Sequence, residues 1–190
     1  MSDLREALIG KLAAHQARAI DAHEAAMTRT ILRFVETEPR CAERSLEAGH
    51  LTGSAWIVDR ERTHVLLTHH RKLDRWLQLG GHADGDLNIL SVAQREAMEE
   101  SGLTCIQIVD AGIFDVDCHR IPARKNEPEH WHYDIRFLLE ADRHQPLMIT
   151  AESKDLSWVP LDRIAEYSTE ESLLRMARKT PRAGGARNDE

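Results

Sequence analysis

Apolar residues recur at every fourth position near the start of the chain: Leu4, Leu8 and Leu12, then Met27, Ile31 and Val35. That spacing lays one apolar stripe along an α-helix. Asp3 with Glu6, and Asp21 with Glu24, supply the pattern in which a capping side chain and a glutamate three residues on satisfy the first free N–H groups of a helix. Two helices are therefore expected before Pro39, which ends the segment. An isolated amphipathic helix is marginal in water, so the pair must pack either on the main domain or on a second subunit.

From His50 the period shortens. Leu51 to Val58 and His64 to Thr68 are β-branched or aromatic runs separated by the charged turn Asp59-Arg60-Glu61-Arg62, the pattern of an antiparallel hairpin. Trp76 to Leu79 leads into Gly80-Gly81, which reads as a break, and a helical stretch runs from about Leu90 to Ser101. Gly102 suits the left-handed position past a helix end, with Leu103 free to fold back. Further strands are expected at Cys105 to Asp117, Trp131 to Glu140 and Leu156 to Val159. A closing helix pair is expected at Leu161 to Tyr167 and Glu170 to Lys179, the second introduced by a Ser168/Glu171 capping box. No internal repeat is visible. The pattern predicts an α/β fold with an N-terminal helical extension over 1–40, a main domain over 41–180 and a frayed tail over 181–190.

Composition narrows the function classes. A length of 190 residues suits one domain, and 42% apolar with 30% charged residues is an ordinary globular balance. The formal net charge of −7 argues against a surface that coats nucleic acid. The opening MSDLREALIG lacks a basic and then apolar leader, and no apolar run approaches the roughly 18 residues of a membrane span. A cytoplasmic protein is expected. Cys41, Cys105 and Cys118 are odd in number and form no C-x-x-C pair, which suggests reduced thiols and not a disulfide framework or zinc site.

The densest chemistry lies in GGHADGDLNILSVAQREAMEESGL, Gly80 to Leu103. Glu96, Glu99 and Glu100 stand at i, i+3 and i+4, so on a helix their carboxylates share one face. Bare, such pairs repel by roughly 0.2–0.5 kcal/mol each. A hard divalent ion, Mg²⁺ or Mn²⁺, would remove that penalty by coordination, while a solvated acidic face would tolerate it. Spacing alone leaves both readings open. A calcium loop at Asp84-Gly85-Asp86 fails, because the alternating ligands and closing glutamate are absent.

Elsewhere, Trp131 to Phe137 alternates, with His132, Asp134 and Arg136 on one face. That face is either the wet side of a half-buried strand or the lining of a substrate cleft. Arg71, Lys72, Arg120, Arg124 and Lys125 are candidates for gripping phosphate oxygens, each set against an ordinary surface charge.

Measured from Gly81, the segment has the form G-x5-x-x7-R-E-U-x-E-E-x-G-U, with Gly81, Arg95, Glu96, Ala97, Glu99, Glu100, Gly102 and Leu103 in place. This closely resembles the box of the Nudix hydrolases. The resemblance extends over about His50 to Leu161, through His50 to Trp56, Val65 to Thr68 and Trp76 to Gly81, and leaves the N-terminal helices and the tail outside. It implies an α/β/α sandwich with a mixed sheet, and cleavage of a nucleoside diphosphate linked to another group, with Mg²⁺ or Mn²⁺. It further implies that Gly81, Glu96, Glu99 and Glu100 hold the metal. Glu152, six residues before Trp158, resembles the family's distal acidic ligand. Glu96 or Glu99 would act on the attacking water beside Arg95, and Arg71, Lys72, Arg124, Lys125, Asp134 and Arg136 would be the candidates for substrate binding.

One box position departs. Leu87 stands where the family carries a glutamate that chiefly holds the box arginine, which puts the orientation of Arg95 in question; Asp84 or Asp86 could substitute. Isopentenyl-diphosphate isomerase shares the fold, but its nucleophilic cysteine falls at Gly80 here. A noncatalytic nucleotide sensor on the same fold is the other alternative. The isomerase resemblance also matches His82 to a metal-binding histidine. With His119, His130 and His132 it forms a candidate second, softer site for Mn²⁺ or Zn²⁺, set against ordinary structural histidines. Finally, the N-terminal helices are expected to contribute to a homodimer.

Overall fold

The computed structural model describes residues 2–123 and 128–183, so Arg124 and Lys125 lie outside the described residues. The elements in chain order are α1 (Ser2–Gln16), α2 (Ala22–Thr37), β1 (Gly49–Val58), β2 (His64–His70), β3 (Arg75–Leu77), β4 (Leu79–His82), α3 (Ile89–Ser101), β5 (Ile106–Ile108), β6 (Asp115–Ile121), β7 (His130–Ala141) and β8 (Ser153–Pro160). A 3₁₀ turn (Leu161–Arg163), α4 (Ile164–Tyr167) and α5 (Glu171–Lys179) follow. The fold is α/β, as the pattern predicts. Hydrogen bonds link the strands in the order β3-β2-β1-β7-β5, with β4 on β1, β6 on β7 and β8 on β2. Among the described residues, no helix is long and apolar enough to cross a membrane.

The chain divides into two compact units, each assembled from separate segments. The first comprises Met1–Ala55, Gly80–Glu96 and Asp110–Phe137. Here Leu12, Ile31 and Val35 are fully buried and Leu8 and Met27 nearly so, which accounts for the fourfold spacing. Asp21 caps α2: its Oδ1 accepts the Glu24 N–H at 2.7 Å, while the Glu24 carboxylate accepts the Ile20 N–H at 3.0 Å. Asp3 does not cap α1, because the helix begins at Ser2 and Asp3 sits in its first turn. Phe34 stacks on Tyr133 with ring centroids 4.1 Å apart. Buried His15 lies 3.0 Å from the Glu24 carboxylate and 3.0 Å from the Ile113 carbonyl. The stripe is covered within this unit from Leu8 to Val35, while Leu4 at its start is 45% exposed. The two N-terminal helices are present as expected and pack within the first unit.

The second unit comprises Trp56–Leu79, Ala97–Val109 and Leu138–Glu190. The expected hairpin is present: β1 and β2 pair antiparallel with Ile57 opposite Leu66 and Val58 opposite Val65. On its other side β2 pairs with β8 from His64 opposite Pro160 to His70 opposite Ser153. Fully buried Trp56 donates its indole N–H to Thr180 Oγ1 at 2.9 Å. Gly102 takes φ +73° after α3, and Leu103 is buried beside it, as a left-handed helix end requires.

Three local expectations differ from the structure. Gly80 and Gly81 do not break the chain but lie inside β4. The run from Cys105 to Asp117 is two strands, because the Asp110 carboxylate accepts the Gly112 N–H at 2.8 Å and turns the chain between them. The Ser168 hydroxyl accepts the Glu170 N–H at 3.2 Å in the turn before α5, so Glu170 and not Ser168 is the capping residue.

Candidate functional site

β4 carries Gly81 and His82 toward the start of α3. The Asp86 carboxylate accepts the Asn88 N–H at 2.8 Å, and Asn88 Oδ1 in turn faces the Ser91 N–H at 3.4 Å, which opens α3 at a fixed angle. One turn further on, Glu96 folds back onto β4. A Cβ built on Gly81 would meet Glu96 Oε2 at 2.3 Å, so the carboxylate rests where any other residue would carry its side chain. Arg95 donates to Glu96 Oε1 at 3.0 Å and reaches the His82 carbonyl at 3.5 Å. Arg95 thus has partners of its own with Leu87 in the preceding loop. Along the same helix, the 3.6-residue turn puts exposed Glu99 and half-buried Glu100 on the Glu96 face.

Beside His82 the first unit gathers four more imidazoles. His50 opens β1, and its ring centroid lies 5.0 Å from those of His82 and His130 and 4.9 Å from that of His132. His132 is also 5.1 Å from His82 and from His130, and 5.4 Å from His119. His130 Nε2 and His132 Nε2 are 3.2 Å apart. Burial, reinforced by His82, His130 and Arg44, lowers the pKa of His50 to about 4. Burial followed by His119, His82, His50 and His130 lowers that of His132 to about 2. Both rings are neutral at physiological pH. His119 Nδ1 stands 3.3 Å from the Asp117 carboxylate without hydrogen-bond geometry.

The remaining polar positions of β7 serve another purpose. Arg136 is 2% exposed and pairs with Asp134 at 2.7 Å, Asp117 at 3.2 Å and Asp115 at 3.4 Å. Burial works against its charge, but the three carboxylates outweigh that and raise its pKa. Thr52 and Ser54 of β1 each donate to Asp134 Oδ1 at 2.8 Å. This buried network ties β1, β6 and β7 together beside the histidines of β1 and β7. Its partners are protein groups, so Asp134 and Arg136 are occupied structurally and not turned toward a ligand.

In the second unit, Arg71 donates to the Ala151 carbonyl at 3.0 Å and the Ser153 carbonyl at 2.7 Å, and its N–H to the Glu152 carbonyl at 2.8 Å. It thereby frames exposed Glu152. Lys72 is exposed. Arg120 pairs with Glu129 and lies over the Trp131 ring at 5.7 Å. His50 is the residue that sequence reasoning did not assign to the cluster. No local signal marks it, since only the adjacency of β1 and β7 brings it to His130 and His132.

The NUDIX domain sequence model matches residues 50–179. None of the curated proteins matches the chain significantly. Among solved structures, a NUDIX-family hydrolase from Clostridium perfringens superposes with a TM-score of 0.52 at 24% identity, covering 69% of this chain and 95% of that one. The Escherichia coli dihydroneopterin triphosphate pyrophosphohydrolase gives 0.52 at 13% identity, over 68% and 92% of the two chains. An Ap4A hydrolase of Caenorhabditis elegans gives 0.51 at 16% identity, over 68% and 93%. At these identities the likeness is one of fold.

Proposed function

Because the chain belongs to the Nudix family, we propose that it is a divalent-metal-dependent hydrolase that cleaves the diphosphate bond of a nucleoside diphosphate linked to another group. The observation that carries this reading is the seat of Glu96: its carboxylate occupies the space over Gly81 and is gripped by Arg95 on a helix that also bears Glu99 and Glu100. Three carboxylates in such an array are a hard oxygen donor set, which fits Mg²⁺ or Mn²⁺. When bound, such an ion neutralises charge on phosphoryl oxygens and lowers the pKa of water. The chain's own residues do the rest. Glu96, Glu99 and Glu100 hold the ion, with the helix keeping their spacing within catalytic tolerance. Arg95 fixes Glu96 in place. Of the two carboxylates suited to take a proton from the attacking water, Glu96 is engaged by Arg95 and Glu99 is exposed, which favours Glu99.

The test is a panel of sugar nucleotides, dinucleoside polyphosphates, NADH, CDP-alcohols and damaged nucleoside triphosphates, assayed with Mg²⁺ and with Mn²⁺. Wild type is expected to hydrolyse at least one class. Glu99→Gln and Glu100→Gln should each lower its turnover by orders of magnitude with an unchanged thermal midpoint. Wild-type rates in both variants would remove the metal site. Binding without turnover across the panel would favour a sensor.

A further inference from the structure

Five of the chain's eleven histidines meet at one place, and the carboxylate chemistry of α3 makes no use of them. We propose that His50, His130 and His132 form a separate site for a borderline transition cation, Zn²⁺ in the first instance. One ring nitrogen from each lies within 4.8 Å of the others. The closest pair, the Nε2 atoms of His130 and His132, is 3.2 Å apart, against the roughly 3.4 Å expected for two nitrogens about 2.0–2.1 Å from a tetrahedral zinc.

Hydrogen bonding sets the first ligand. His130 Nδ1 is 2.9 Å from the Pro128 carbonyl, which can only accept. Nδ1 therefore carries the proton and Nε2 presents its lone pair to His132, the same arrangement by which an outer carbonyl orients a metal-binding histidine. His50 supplies the second argument. It is 2% exposed; the Leu46 carbonyl faces one side of the ring outside good hydrogen-bond geometry, and no other polar group partners its two nitrogens. Burying a polar ring unsatisfied is costly, and a cation between the three rings would satisfy it. A bond from His132 Nε2–H to His130 Nε2 would serve those two rings but leave the His50 nitrogen away from Leu46 without a partner. Burial keeps His50 and His132 neutral, the form in which imidazole binds metal.

Access and identity follow from the surroundings. His50 and His130 both line a cavity of about 190 Å³, whose other walls include Arg44, Leu46, Glu47 and Pro128. It provides an entry path and a side on which a fourth ligand can stand. The rings of His82 and His119 border the group without joining the close triad. An all-nitrogen set favours Zn²⁺ and its neighbours over Mg²⁺, the reverse of the α3 carboxylates.

The experiment uses tag-free protein, stripped with a chelator and dialysed against Zn²⁺ or Co²⁺, with bound metal read by elemental analysis and Co²⁺ geometry by visible absorption. Wild type is expected to retain close to one equivalent, to show the intense bands of tetrahedral Co²⁺, and to melt at a higher temperature than its stripped form. His132→Gln and His50→Asn should each lose metal affinity roughly tenfold or more. The thermal midpoint of each stripped variant reports whether it folds. His50 is buried, so half-buried His132 keeps the test decisive if His50→Asn does not fold. The double variant Glu99→Gln with Glu100→Gln should keep its zinc. A wild type that retains less than about a tenth of an equivalent under these conditions, a folded His132→Gln with undiminished affinity, or zinc lost from the glutamate variant instead, would each overturn the site.

Discussion

Gly81 and Glu96 act as one feature. The glycine contributes an absence of atoms, and the carboxylate fills it, with Oε2 only 2.3 Å from where a methyl group would stand. Gly81→Ala must therefore displace the Glu96 head group, which sits at the end of a flexible side chain and can move at modest cost. We expect a loss of about 1 kcal/mol, the low end for overpacking, together with a much larger fall in divalent-dependent turnover. Urea unfolding and steady-state assays on the same variant separate the two. A variant as active as wild type would mean that the seat of Glu96 is not required. Arg136 makes the contrasting case: with three carboxylates around it and 2% exposure, its work is to hold strands, whatever a phosphate could have offered it.

Among the elements, α2 shows how a local signal becomes structure. Its Asp21 cap satisfies the Glu24 N–H at 2.7 Å, and its apolar stripe is buried from Met27 to Val35. Asp21→Ala should destabilise the protein by about 1 kcal/mol, read as a lower denaturation midpoint at unchanged slope. A midpoint equal to wild type would show that the cap is replaced by solvent. The predicted cap at Ser168 differs because its hydroxyl already serves the turn that precedes α5. β7 departs from simple alternation for a related reason: six consecutive residues from Asp134 to Leu139 are buried, the polar ones through ion pairing and the apolar ones through packing. A strand covered on both faces does not read as alternating.

For the whole molecule, the N-terminal helices are part of the fold. Phe34 stacks on Tyr133, His15 meets the Ile113 carbonyl, and Lys11 donates to the Ala111 carbonyl at 2.7 Å, all within the first unit. Deleting residues 1–40 would strip those partners from the segment that carries β6 and β7. The truncated chain is expected to aggregate or to melt well below the full chain, as followed by circular dichroism and size-exclusion chromatography. A truncated protein with the full-length melting temperature would show that the helices add nothing to its stability.

What the sequence by itself determined is what short-range geometry controls. Glu96, Glu99 and Glu100 share a face because a helix turns every 3.6 residues, so α3 and its carboxylates were legible from spacing, and the family from the resemblance of the Gly81 to Leu103 motif. So were the two N-terminal helices and the β1–β2 hairpin, whose periods are local. Strand order is not local. His50 stands 80 residues before His130, and only the neighbouring of β1 and β7 puts their rings 5.0 Å apart. The same pairing turns Asp134 toward Thr52 and Ser54, and the return of β4 beside β1 precedes the helix that lays Glu96 on Gly81. Periodicity states which face a residue occupies; which residue it meets there depends on contacts between distant segments, and these only the tertiary structure decided.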